Sequence, residues 1–93
     1  MKDLKHKWKI SDDIVAFYLY KSGSTKEIEL VAKKLGIKTA SFKMRVSNFA
    51  FLDTNKGLRN YSKQSQNVFL KWKSSNLSEL KAEYDNIISK TNI

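Results

Sequence analysis

Four residues at helical spacing carry the clearest chemistry in this chain: Ser41, Met44, Arg45 and Asn48. On one face of a helix, they would present a set of groups able to read base edges. Arginine donates two parallel hydrogen bonds to guanine, and asparagine pairs with adenine in the major groove. A methionine can contact a thymine methyl, and a serine is small enough to allow close approach. Lys38 and Lys43 flank this face and suit phosphates. Lys56, Arg59 and Lys63 follow in the next segment and suit backbone contacts that fix register. Asn60, Ser62 and the amides opening the next helix could assist, because helix N-termini favour anions.

Charge supports that expectation. Residues 38–73 hold eight cations (Lys38, Lys43, Arg45, Lys56, Arg59, Lys63, Lys71, Lys73) against one acid, Asp53, giving +7 of the net +9. Residues 10–37 balance to zero, the segment before Ile10 adds +3, and the tail from Ser74 is −1. A segregated basic surface beside such a helix is the electrostatic footprint of a nucleic-acid binder. Lys71 and Lys73 flank Trp72 and are read as solvated.

Other chemistries find little support. The single histidine, His6, sits in a basic arm, and there is no cysteine, which excludes a zinc finger, a disulfide scaffold and thiol catalysis. Asp12 and Asp13 fall in a first helical turn, where acids serve as caps. Glu79-Leu80-Lys81 spells part of a nuclease signature but falls on a helix without an aspartate partner. No nucleophile–base pair, phosphate loop or metal cluster is visible. The expectation is therefore no catalytic residue, no metal and no cofactor.

The elements that must position these residues are helical. Ninety-three residues allow one core, and 41% hydrophobic content with 12% aromatics is enough to fill it. Zero prolines and three glycines point to helices joined by short turns. The expected fold is all-α: a bundle of about five helices containing a helix-turn-helix. Residues 1–9 form a basic arm, anchored on the core by Trp8 and Ile10, and residues 10–93 form the single domain. A first helix starts at Ser11 as cap and is unusually apolar through Ile14, Val15, Phe17, Tyr18 and Leu19, hence central. The helix-turn-helix spans about 24–51. Ser24 to Glu27 has the spacing of a capping box, and Ile28, Val31, Ala32 and Leu35 face the core. Gly36 turns the chain. A third helix from Thr39 to Phe51 buries Phe42, Val46 and Phe49 and leaves the Ser41, Met44, Arg45, Asn48 stripe in solvent. Ala32, Gly36 and Phe42 match the steric needs of two closely crossing helices. A loop over 52–61 leads to a fourth helix near Ser62, and Asn76 with Glu79 caps a fifth over about 76–90.

The run Leu35-Gly36-Ile37, Ser41 to Phe49, Leu52-Asp53, Lys56-Gly57-Leu58 and Ser62-Lys63 resembles the N-terminal module of certain bacterial HNH-type restriction endonucleases. The resemblance covers roughly residues 8–73. It implies a DNA-binding role, with Met44, Arg45, Asn48, Lys56, Gly57 and Ser62 on the recognition surface, or with Asn48 and Asp53 holding the loop after the third helix. The 93 residues hold no counterpart of that family's nuclease half, so the resemblance implies no nuclease site here.

The leading expectation is thus a non-enzymatic, cytoplasmic, double-stranded DNA-binding protein with a regulatory role in transcription or in a mobile-element or restriction context. The Leu77, Leu80, Tyr84, Ile87 stripe of the fifth helix is a candidate homodimer surface, with packing on its own domain as the alternative. The competing functional class is a small phage or mobile-element inhibitor that binds a host defence nuclease, of anti-CRISPR or anti-restriction type. Single-strand binding through Phe51, Tyr61 and Trp72 ranks below both, because periodicity places most aromatics in the core. No apolar run reaches the roughly 18 residues of a membrane span.

Overall fold

The computed structural model describes residues 7–91. Most of the basic arm, including His6, lies outside the described residues. Five α-helices follow in order: α1 (Ile10–Ser22), α2 (Ile28–Leu35), α3 (Thr39–Thr54), α4 (Lys63–Trp72) and α5 (Leu77–Lys90). A 3-10 turn over Thr25–Glu27 precedes α2, and there is no strand among the described residues. The expected all-α bundle is what forms, and the expected loop after α3 spans residues 55–62.

α1 is the axis of the bundle. Asp12 through Leu19 are all buried, and α3, α4 and α5 pack around it. A helix apolar on every side has no solvent face to offer, so its neighbours must enclose it. Phe17 meets Phe49 of α3 at 5.2 Å between ring centroids and Phe69 of α4 edge-on at 5.8 Å. Tyr18 stacks on Tyr84 of α5 at 4.3 Å. With Leu80 fully buried and Ile87 and Ile88 packed on the core, the apolar stripe of α5 is occupied within its own chain. The alternative expectation for this stripe, packing on its own domain, is thus what forms, and of the stripe only Leu77 is substantially exposed.

Two helix starts differ from the sequence expectation. Ser11 lies inside α1. Asp12 caps that helix instead, its Oδ2 accepting from the Lys9 amide at 2.9 Å. Ser24 makes no side-chain cap, because the chain first closes a 3-10 turn and enters α2 only at Ile28. The Asn76–Glu79 box does form, with Asn76 Oδ1 accepting from the Glu79 amide at 2.9 Å.

α2 and α3 meet as expected. Gly36 takes φ +75°, the left-handed region, and lets the Ile37 amide bond back to the Ala32 carbonyl at 2.9 Å. Ala32, Ile37 and Phe42 are buried at the crossing. α3 runs a turn longer than its pattern suggests and stops at Asn55, itself left-handed at φ +69°.

Candidate nucleic-acid interface

The exposed stripe expected on α3 divides in two. Met44 is 51% exposed and Lys43 is exposed, as are Lys38, Lys56, Arg59 and Lys63. Ser41 is half-buried. Arg45 and Asn48 are not free in solvent, which corrects the expectation that both point outward.

Arg45 folds back onto α1. Its Nε donates to Asp13 Oδ1 at 2.6 Å and its Nη2 to Oδ2 at 2.9 Å. Its guanidinium lies 4.1 Å from the centroid of Trp8, whose ring stacks 6.0 Å from Phe42. The Arg45 side chain keeps 14% of its exposure and the Asp13 side chain none. Asp13 also accepts from Gln64 Nε2 at 2.7 Å and Ser65 Oγ at 2.8 Å. Four donors thus fill the acceptor sites of one carboxylate. A buried carboxylate survives desolvation only when paired and hydrogen-bonded in this way. The knot joins α1, α3 and α4. Gln64 adds the arm, donating to the Trp8 carbonyl at 3.0 Å.

Asn48 is 5% exposed and holds the loop, its Nδ2 donating to the Leu58 carbonyl at 2.8 Å. The Leu58 amide bonds Ser47, to its carbonyl at 3.3 Å and its hydroxyl at 3.0 Å. Between these contacts Gly57 sits at φ +121°, and a Cβ there would lie 2.7 Å from the Ser47 carbonyl oxygen. Glycine is required because the loop backbone lies directly on α3. Asp53 is likewise structural: the Tyr20 hydroxyl donates to its Oδ2 at 2.5 Å. Partial burial, followed by that bond to a carboxylate, pushes the Tyr20 phenol up to about 12.

A groove of about 380 Å³ remains, lined by Trp8, Ser41, Met44, Arg45, Asn48, Leu58 and Asn60. All four residues expected to contact bases line it. Two of the five guanidinium donors of Arg45 go to Asp13, leaving three on its other edge. Exposed cations stand next to several of its lining residues in the chain. Lys7 and Lys9 flank Trp8, Lys43 neighbours Met44, and Arg59 lies between Leu58 and Asn60, whereas Lys63 lines a separate groove along α4. Asp12 and Asp13, close to Trp8 in the chain, are buried, whereas Asp53, midway between Asn48 and Leu58, is exposed and bonded to Tyr20.

The sequence did not single out Gln64, Ser65 or Ser47, and it assigned Asp13 to capping. A detectable signal was present at Asp13. It stands three and four positions before Ala16 and Phe17, on the face of a helix that has no solvent side, so it required a partner. Among the described residues no helix is long and apolar enough to cross a membrane. No protein-family model, no curated protein and no solved structure matches the chain.

Proposed function

We propose that this chain binds double-stranded DNA as a non-enzymatic helix-turn-helix protein, with α2 and α3 as the two helices and a regulatory role in transcription or a mobile-element setting. The observation that carries the reading is the convergence of arm, α3 and the 56–60 loop on one groove, with exposed cations next to its lining residues in the chain. Lys43, Lys56, Arg59 and Lys63 supply phosphate contacts, with Lys38 at the start of α3. Base contacts come from Met44, Ser41 and the outer edge of Arg45. Asn48 holds the loop and contributes indirectly. Arg45 and Asp13 together are neutral, so affinity rests on the lysines and Arg59, and sequence preference on few groups.

That same engagement of Arg45 and Asn48 favours a second reading, in which the cationic face blocks a nucleic-acid-handling protein such as a host defence nuclease. Selection of bound fragments from random duplex DNA separates the two. An enriched motif, with affinity falling steeply in salt, supports the DNA reader. A folded protein that retains no duplex at low salt excludes it.

A further inference from the structure

We propose that a second groove, between the start of α1 and the outer side of α4, docks an acidic amphipathic helix of a partner protein. The groove measures about 420 Å³ and is lined by Ile10, Ile14, Val68 and Trp72, with Lys63, Asn67 and Lys71 along α4. Ile10 is 60% exposed at its mouth. An isoleucine left in water beside an apolar trough has free energy to gain from cover.

Charge selects the occupant. None of the lining residues is acidic, and Lys63 and Lys71 are both exposed. They stand eight residues apart on α4, roughly 12 Å along its axis. A docked helix meets both with carboxylates about two turns apart, and its apolar residues between them enter the trough. Acidic residues enter only on the α5 side of Trp72. A neighbouring cavity of about 490 Å³ shares Lys71 and Trp72 but is lined also by Glu79 and Glu83. The Trp72 indole N–H is buried and has no hydrogen-bond partner among the described residues. It gains one if the ring turns toward a carbonyl or carboxylate of the occupant. A second copy of this chain fits less well. Its acidic helix, α5, already packs its apolar stripe against its own α1.

The test is a selection from a displayed library of peptides about 16 residues long, roughly 24 Å as a helix, against the full chain. The expected pool carries Asp or Glu about seven or eight positions apart with aliphatic or aromatic residues between them. A synthetic peptide from that pool should lose about tenfold or more in affinity against Ile10→Asp and against Lys71→Glu, each with an unchanged thermal melt. Both sites are exposed and neither belongs to the DNA surface proposed above; Lys63 is shared by the two surfaces, so helix and duplex compete there and Lys63 is left unchanged in the test. A pool that fails to enrich, one enriched without acids, or a peptide that binds both variants as well as the parent overturns the proposal.

Discussion

Asp13 and Arg45, thirty-two residues apart in sequence, are joined by two parallel hydrogen bonds, with the guanidinium covered on one side by Trp8. This pair turns a residue suited to reading bases into one that also holds three helices together. Replacing Asp13 by Ala leaves the guanidinium, the Gln64 amide and the Ser65 hydroxyl without their acceptor. The expected loss is about 3–5 kcal/mol, as for breaking a buried ion pair, read as a fall in the urea midpoint. Asp13→Leu combined with Arg45→Met should cost less than Asp13→Ala alone, because no charge is then left unpaired. A double variant less stable than the single one would contradict this account.

Gly57→Ala addresses the loop. Its backbone is left-handed, and a methyl group would press on the Ser47 carbonyl at 2.7 Å. The loop must lift, breaking the Leu58–Ser47 and Asn48–Leu58 bonds. A cost of about 1–3 kcal/mol is expected for such strain, with faster proteolysis confined to residues 55–62. Unchanged protection of that segment would show that the loop tolerates the methyl in place.

How far the fold could be read from sequence depends on the range of each contact. Five helices, the central α1, the turn at Gly36 and the α5 cap follow from local periodicity and capping, and all five helices form. The covered face of α3 was not legible. Arg45 and Asn48 lie beside the Phe42, Val46, Phe49 stripe, and local spacing cannot tell whether such a flank meets water. Here it meets Trp8 and Asp13 from before α2, and a loop folded back from beyond α3. The Ser24 box failed for a local reason: a 3-10 turn competes for the same four residues.

Alkaline pH should weaken the fold. Tyr20 and Tyr84 both have phenols pushed up to about 12, chiefly by partial burial. In the unfolded chain they ionise near the ordinary value of about 10. Their contribution to stability is therefore fully present below about pH 10 and is lost as pH rises toward 12. An absorbance titration of the folded protein should show Tyr20 and Tyr84 ionising late, and Tyr20→Phe should remove one late step. A late phase that is the same size in Tyr20→Phe as in the parent would contradict it.

DNA binding itself separates charge from base reading. Lys43→Ala and Lys56→Ala should each weaken all duplexes alike and lower the slope of log affinity against log salt by about 0.9 per lost phosphate contact. Met44→Ala should leave that slope unchanged and flatten preference at one position. Asn48→Ala releases the loop carrying Lys56 and Arg59, so it should weaken binding to every sequence without shifting the preferred motif. A changed motif in Asn48→Ala would mean that this side chain leaves Leu58 to meet a base. Slopes unmoved by both lysine variants would remove the phosphate role from α3 and its loop.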